Sequence, residues 1–109
     1  GMFVIQVVGE SMNRRIPNGS WCLFRKPTGG TREGKIVLVQ HRDIYDEDHG
    51  GRYTVKKYHS EKVYSEDGQW RHERIVLRPE TSAVGYDDII LVIEEVLHAR
   101  VLGEYTLVL

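Results

Sequence analysis

The stretch VVGESMNRRIPNGSWCLF, residues 7–24, joins two apolar segments through a polar, turn-rich middle. Short apolar or alternating runs predict β-strands over Met2–Val8 and Ser20–Arg25. Between them lie a glycine, a Pro-Asn-Gly turn and, over Ser11–Ile16, room for one helical turn at most. The stretch therefore predicts two β-strands joined by a polar segment that carries a serine near its start.

The same strand signal recurs along the chain. In SWCLFR, Trp21, Leu23 and Arg25 fall on one face, while Cys22 and Phe24 fall on the other. Further predicted strands are Ile36–His41, Arg52–Tyr58, Val63–Ser65, Arg74–Arg78, Ile89–Val96 and Tyr105–Leu109. No segment combines a helix cap with an apolar stripe of helical period. The pattern predicts an all-β fold, either a small coiled β-sheet or a partly closed barrel.

Two loops stand out between the predicted strands. The acidic, glycine-ended segment Asp43–Gly51 is predicted to project into solvent, and Glu66–Glu73 is predicted to form a hairpin tip with its turn at Asp67-Gly68. The hard oxygen and imidazole ligands of a metal site could come from Asp43, Asp46, Asp48, His41 and His49. They lack the calcium-loop spacing, so we predict a solvated loop, with no metal and no cofactor.

Bulk properties set broad limits. The chain has 109 residues, which favours one domain, 1–109. Gly1-Met2 resembles a tag remnant followed by a start methionine, so we expect a domain excised from a longer protein. The net charge of −1 gives no basic footprint, which argues against direct nucleic-acid binding. A single cysteine, Cys22, excludes an internal disulfide and suits a small buried apolar side chain. No apolar run approaches membrane length, and we expect a cytoplasmic location.

The serine at the start of the polar segment raises a choice between chemistry and turn formation. A serine hydroxyl needs a base within hydrogen-bond reach and donors for the oxyanion that develops. Gly9 permits a close backbone approach, and a tight bend would leave the N–H groups of Ser11 and Met12 free to face a carbonyl oxygen. A serine after a strand and a glycine is also an ordinary turn residue, and the local sequence leaves both interpretations open.

The candidate bases are histidines and lysines. The histidines are His41, His49, His59, His72 and His98, and three of them lie in or beside polar loops. A lysine base must be desolvated to lose its proton near neutrality, so it should lie in an apolar strand. Lys56 and Lys57 do, in YTVKKY. Alternation places Lys56 on the face of Thr54 and Tyr58, and Lys57 on the opposite face, without saying which face meets a cleft. Two solvated lysines on an exposed strand edge would also explain the pattern, and alternation alone favours that interpretation.

Four segments in order resemble one known family. They are Gly9-Glu10-Ser11-Met12, Ile16-Pro17-Asn18-Gly19, Gly34–Val39 and Thr54-Val55-Lys56-Lys57. This arrangement is similar to that of the LexA-like serine peptidases, which include the C-terminal domains of LexA and phage repressors, UmuD and, distantly, signal peptidases. The resemblance covers the chain from Val4 to the final strand and is strongest in the first half. It implies a coiled all-β domain of the LexA C-terminal (signal peptidase-like) type.

The resemblance also implies roles for particular residues. Ser11 would be the nucleophile, Lys56 the general base and Lys57 an outward-facing basic residue. The backbone N–H groups of Ser11 and Met12 would form the oxyanion hole, and the residues that support the cleft would be Gly9, Thr54 and Tyr58. The dyad residues are 45 positions apart (56 minus 11), and the acidic loop accounts for the long interval as an insertion. Ser20 departs from the family, which commonly has an acidic residue there.

The resemblance leaves substrate and partners open. Repressors of this family cleave themselves between Ala or Cys and Gly, a dipeptide this chain lacks, and no helix-turn-helix segment is present. We therefore expect a Ser-Lys endopeptidase of narrow range, acting on its parent chain or on another protein in a bacterial or phage stress (SOS) response. The alternative is a catalytically idle module for dimerisation or peptide binding in a larger DNA-associated protein. The family also implies a homodimer formed through the C-terminal strand, Tyr105–Leu109.

Overall fold

Seven antiparallel strands form one sheet in this computed structural model, which describes residues 1–42, 44–49, 51–64, 66–68, 71–92 and 99–109. The strands are β1 (Met2–Val7), β2 (Ser20–Arg25), β3 (Ile36–Gln40), β4 (Tyr53–Tyr64), β5 (Arg71–Arg78), β6 (Ile89–Leu91) and β7 (Arg100–Val108). Their order in the sheet is β1-β2-β7-β3-β4-β5-β6. The predicted all-β class is confirmed. The sheet stays open, with β1 and β6 as its edges, so it is not closed into a barrel.

The long strand β4 connects the two halves of the sheet. It pairs with β3 along one edge, from Ile36↔Lys57 to Gln40↔Tyr53, and with β5 along the other. Sequence patterning predicted two separate strands here, because the polar residues between Tyr58 and Val63 interrupt the apolar run. The β5 hairpin supplies backbone partners throughout that interval, so β4 continues without a break.

Two buried clusters cover different faces of the sheet. The first consists of Val7, Met12, Ile16, Cys22, Phe24, Ile36, Leu38 and Val55. The second consists of Val37, Val39, Ile44, Ile75, Leu77 and Leu91. Alternating residues of β3 contribute to both clusters, which explains why four of its five side chains are buried. Strands β3 and β4 thus lie between two apolar layers, where a polar side chain is removed from water.

The face assignment for β2 is confirmed at its buried positions. Cys22 and Phe24 are fully buried, and burial raises the pKa of the Cys22 thiol. Trp21 and Tyr53 lie outside the core, since they are 56% and 42% exposed. Trp21 lies on the face of β2 opposite Cys22 and Phe24, and Tyr53 is the first residue of β4.

The C-terminal strand lies inside the sheet and is longer than predicted. Its first half pairs with β3, from Gln40↔Arg100 to Val37↔Glu104, and its second half pairs with β2, from Arg25↔Glu104 to Cys22↔Val108. Gly103 and Glu104 hid the first half from the sequence pattern. Position 103 requires a glycine, because a Cβ there would overlap the ring of Phe3. Glu104 is buried, and one of its carboxylate oxygens lies within 3.4 Å of both Arg25 and Lys35.

The β4–β5 hairpin is present with strands longer than predicted. Its last pair is Tyr64↔Arg71, so the tip is shorter than the predicted Glu66–Glu73. Gly68 has a φ of 72°, the left-handed conformation that the predicted Asp67-Gly68 turn requires. Residues 65, 69 and 70 at the tip lie outside the described residues, as do residues 93–96 of the predicted strand Ile89–Val96.

Candidate active site

The segment that carries Ser11 is a tight turn fixed by the first core cluster. The amide of Ile16 donates to the carbonyl of Met12 at 2.7 Å, which closes a single helical turn of the kind that the sequence allowed. Met12 and Ile16 are buried in the cluster, so their packing holds the turn against the sheet. Ser11, immediately before the anchored Met12, is only 3% exposed. The turn therefore carries the serine into a protein-lined interior.

Lys56 lies in the middle of β4, opposite Val37 of β3. It is 3% exposed, and Thr54, two positions earlier on the same face, is fully buried. Its neighbour Lys57 points to the other face, is 40% exposed and pairs with Glu80 at 3.6 Å. The structure thus makes the choice that alternation left open, because only Lys56 faces inward.

Ser11 and Lys56 meet although they are 45 positions apart in the chain. The Lys56 Nζ lies 3.0 Å from the Ser11 Oγ, within hydrogen-bond reach. The same nitrogen lies 2.7 Å from the Thr54 Oγ1 and 3.2 Å from the carbonyl oxygen of Val55. Three polar neighbours therefore surround the amine in an otherwise buried position.

These neighbours fit a neutral amine as well as a charged one. The Thr54 hydroxyl donates to the Asp46 Oδ2 at 2.7 Å, so it has only lone pairs to offer Lys56. The Val55 carbonyl can only accept. The two N–H bonds of a neutral amine can satisfy these two acceptors, which leaves its lone pair for the O–H of Ser11. In the ammonium form the third N–H donates to the Ser11 Oγ instead. A proton can therefore pass between Oγ and Nζ without any rearrangement of side chains.

Burial favours the neutral form of the amine. Desolvation lowers the pKa of Lys56 below its ordinary value, and the charges of Asp46 and Asp48 offset only part of that shift. The physical cause is the apolar packing around the middle of β3 and β4. A lysine with this environment meets the requirement for a general base that operates below the usual lysine range.

The acidic loop between β3 and β4 is solvated at Tyr45 and Glu47 but turns inward elsewhere, so the prediction of a solvated loop is only partly right. Ile44 is buried in the second cluster, and the side chains of Asp46 and His49 are each 9% exposed. The Asp46 Oδ2 lies 3.6 Å from the Lys56 Nζ, so the loop reaches the dyad. Burial opposes ionisation of Asp46, yet His49, the Thr54 hydroxyl and the charge of Lys56 together lower its pKa below the ordinary value. Asp46 is the site residue that sequence reasoning missed.

Gly9 lets the same loop approach the serine turn. Its φ of 98° is a left-handed conformation, and a Cβ at this position would overlap the side chain of Asp48. Asp48 also accepts a hydrogen bond from the Tyr86 hydroxyl at 2.9 Å. That hydroxyl accepts one from the amide of Glu10 at 3.4 Å. The residues just before Ser11 are therefore held between the acidic loop and the segment that joins β5 to β6.

The amides next to the serine are available for an anion. Among the described residues, the backbone N–H groups of Ser11 and Met12 donate no hydrogen bond, whereas those of Asn13, Arg15 and Ile16 bond within the turn. Free N–H groups beside a nucleophile are the feature that an oxyanion hole requires.

An open cavity of about 450 Å³ adjoins Lys56. Its lining residues are Tyr45, Asp46, Glu47, Asp48, Lys56, Val84, Gly85, Tyr86, Asp87 and Ile89. Ser11 is not part of this lining and lies one hydrogen bond from it, behind Lys56. Tyr58, expected to support the cleft, instead packs against the second cluster. A ligand in this cavity would meet the lysine directly, while access to Ser11 requires a shift of the surrounding segments.

The histidines do not reach the serine in the described part of the chain. His59 pairs with Glu33, His41 is buried, and His49 Nδ1 lies 3.3 Å from the Asp46 Oδ2. The side chain of His72 is not described, and Asp43 and His98 lie outside the described residues. Within the described ranges, no group of three or more His, Cys, Asp or Glu side chains is arranged to hold a metal ion, and no helix is long and apolar enough to cross a bilayer.

Comparisons with family models, with curated proteins and with solved structures found no match for this chain.

Proposed function

We propose that this chain is a serine endopeptidase with a Ser11-Lys56 dyad. One observation carries the proposal: the Lys56 Nζ, buried and with a lowered pKa, lies 3.0 Å from the Ser11 Oγ. A buried lysine hydrogen-bonded to a serine is an uncommon arrangement, because removing an amine from water costs free energy unless the site uses its neutral form.

The proposed reaction uses the groups of the site in sequence. Neutral Lys56 takes the proton of Ser11 as the Oγ attacks a peptide carbonyl carbon. The N–H groups of Ser11 and Met12 stabilise the oxyanion of the tetrahedral intermediate. The resulting ammonium then protonates the leaving amine as the C–N bond breaks. Water, deprotonated by the same amine, hydrolyses the acyl-enzyme and restores the serine hydroxyl.

The proposal also covers the type of fold and the family that the sequence resembles. The open all-β sheet, the serine in a turn after β1 and the lysine within β4 support a domain of the LexA C-terminal, signal peptidase-like type. We propose a substrate segment in the parent chain or in another protein, a role in a bacterial or phage stress response, and a homodimer. The part of β7 beyond Glu104 supports the last point, since it pairs with β2 alone among the described residues.

A covalent labelling experiment tests the dyad. The chain is incubated with a fluorophosphonate reagent at alkaline pH, and the adduct is located by mass spectrometry. We expect one adduct, on Ser11, that is absent from Ser11→Ala. In Lys56→Ala the rate should fall by a factor of about 100 to 10,000, the usual contribution of a general base. Lys57→Ala is the matched control and should label like wild type, because Lys57 faces away from the serine.

The outcome also separates the enzyme from its rival. An idle dimerisation or peptide-binding module would show no labelling above that of Ser11→Ala. Equal labelling in wild type and Lys56→Ala would remove the lysine from the mechanism.

A further inference from the structure

The dyad chemistry uses two residues, yet a third ionisable group is built into the site. Asp46 lies in the loop between β3 and β4, with its Oδ2 3.6 Å from the Lys56 Nζ and 2.7 Å from the Thr54 Oγ1. Nothing in the Ser-Lys reaction requires this carboxylate. Its position demands a separate explanation, because an ionised carboxylate beside a general-base lysine favours the protonated, inactive form of that lysine.

The Asp46 side chain is held rigidly by its own loop. Its Oδ1 accepts hydrogen bonds from the amides of Asp48 at 2.9 Å and of His49 at 3.3 Å. Asp46 and Gly51 also exchange backbone hydrogen bonds of 2.8 and 3.1 Å, which close the loop. With the Thr54 hydroxyl on Oδ2, both carboxylate oxygens have fixed partners. The loop therefore presents the carboxylate to Lys56 in one orientation.

We propose that Asp46 is a positioning residue, which aims the lone pair of the Lys56 amine at Ser11 through the Thr54 hydroxyl and sets the pH range in which that amine acts as a base. The inference rests on the proposed function. It adds a residue of the loop, outside the dyad, that sets when Lys56 acts as a base.

The positioning follows from the direction of the hydrogen bonds. While Asp46 is ionised, the Thr54 hydroxyl must donate to it and can only accept from Lys56. One N–H of the amine is then committed to Thr54 and the other to the Val55 carbonyl, so the lone pair faces Ser11. An amide at position 46 would turn its NH₂ toward Thr54 and release the hydroxyl hydrogen. That hydrogen would compete with the serine for the lone pair.

The electrostatic effect follows from the groups that face Lys56. From the acidic loop come Asp46 and the more distant charge of Asp48, and His49 contacts Asp46. The segment between β5 and β6 contributes Tyr86, through its bond to Asp48, and Asp87, which lines the same cavity as Lys56. From β3 the paired residue is the apolar Val37. Asp46 is thus the nearest charge, and its loss should favour the neutral amine at lower pH.

The test measures Lys56 directly, without relying on catalysis. Lysine labelled with ¹³C at Cε is titrated by NMR in wild type and in Asp46→Asn, and the Lys56→Met spectrum identifies the resonance. We expect the titration midpoint of Lys56 to fall by about one to three pH units in Asp46→Asn, the usual effect of an adjacent opposite charge. Glu47→Gln is the matched control, since Glu47 lines the same cavity and should leave the midpoint unchanged.

Fluorophosphonate labelling of the same variants supplies the second readout. In Asp46→Asn the rate at Ser11 should begin to rise at lower pH and reach a lower plateau, because the lone pair is no longer aimed. An unchanged NMR midpoint would overturn the inference whatever the labelling shows. A shifted midpoint without any labelling of Ser11 in wild type would instead overturn the proposed function and leave the coupling intact.

A reciprocal measurement covers the case in which Asp46→Asn does not fold. Linkage requires the coupling to be reciprocal. The loss of Lys56 should shift the pKa of Asp46 by as much as the loss of Asp46 shifts the pKa of Lys56. In Lys56→Met, the ¹³C carboxyl signal of Asp46 should therefore titrate at higher pH than in wild type. Titration at the same pH in both proteins would show that the two groups are uncoupled and would contradict the inference.

Discussion

Lys56 and Lys57 are adjacent in β4, yet only the first amine is removed from water. Lys56 is 3% exposed beside Val37 and Thr54, whereas Lys57 reaches Glu80 at the surface. Alternation allowed only one of the two lysines to face a given cleft, because strand residues alternate between faces. It could not say which one, since that depends on how the two clusters cover β4. The family resemblance selected Lys56, and the structure places that residue beside Ser11.

Gly9 is the residue whose replacement should disturb the serine turn most. It combines a φ of 98° with contact to Asp48, so Gly9→Ala should lower the free energy of unfolding through both backbone strain and steric overlap. We expect a loss of about 1–3 kcal/mol from the strained conformation alone, measured by urea denaturation.

Gly30→Ala is the control for that measurement. Gly30 has a φ of 104° with open space around it, so its substitution reports the backbone cost without overlap. The difference between the two variants isolates the contact with Asp48. Equal losses of unfolding free energy in the two variants would show that the contact between position 9 and Asp48 adds nothing to the cost.

The loop between β3 and β4 shows where sequence reasoning failed. Its acidic composition predicted solvation, but Asp46 finds partners eight residues away at Thr54, and Asp48 fills the space that Gly9 leaves open. Such compensation depends on tertiary contacts that composition does not contain. Ile44, the one aliphatic side chain of the loop, was the available signal, since a buried anchor draws its neighbours inward.

The anchored carboxylate should contribute stability that depends on pH. The pKa of Asp46 is lowered from 3.8, so its contribution is complete above that value and is lost as the pH falls through the lower folded-state value. Asp46→Asn should therefore lower the unfolding free energy by about 1.5–3 kcal/mol at pH 7, as expected for hydrogen bonds to a charged group. The difference in unfolding free energy between variant and wild type should become smaller below about pH 4.

Chemical denaturation of Asp46→Asn at pH 7 and pH 3 measures this difference, with the exposed Glu47→Gln as the control that should show none. A difference of constant size would mean that the Asp46 charge does not stabilise the loop.

The contact between the loop and the β5–β6 segment should restrict access to the serine. Tyr86 bonds to both Asp48 and Glu10, and Ser11 is almost fully buried. Tyr86→Phe removes bonds worth about 1 kcal/mol each and should accelerate fluorophosphonate labelling of Ser11 by about 5- to 20-fold. Tyr45→Phe, at an exposed tyrosine of the same cavity, should label like wild type. Unchanged or slower labelling of Tyr86→Phe would rule out this restriction.

For the molecule as a whole, the sequence predicted the strand content but not the arrangement of the sheet. Alternation and turn residues located each strand of the described residues, but they divided β4 into two and missed strand ends where polar residues continue the pairing. The central position of β7 was hidden, because pairing with both β2 and β3 involves Gly103 and Glu104, which break the apolar pattern. The open edge of the sheet likewise depends on how strands are ordered, which no local pattern encodes.

The end of β7 should form the dimer contact. Its last residues pair on one side within the described chain, and Leu107 and Leu109 are 42% and 67% exposed. In an antiparallel pairing of two β7 strands around a two-fold axis, a residue near the axis approaches its own copy, so Leu107→Lys should convert the proposed dimer to monomer by charge repulsion. Sedimentation analysis measures this, and Val84→Lys, at a residue 95% exposed elsewhere, should remain dimeric. A monomeric wild type, or a dimeric Leu107→Lys, would contradict the assignment.

The pH dependence of Ser11 phosphonylation tests the central claim most directly. If neutral Lys56 is the base, the rate rises along a single ionisation whose midpoint lies below 10.5, because burial lowers the pKa of Lys56 from that value. The rise should be absent in Lys56→Ala and retained in Lys57→Ala. A rate that is flat or falls across this range, or a rise that survives the loss of Lys56, would contradict the account.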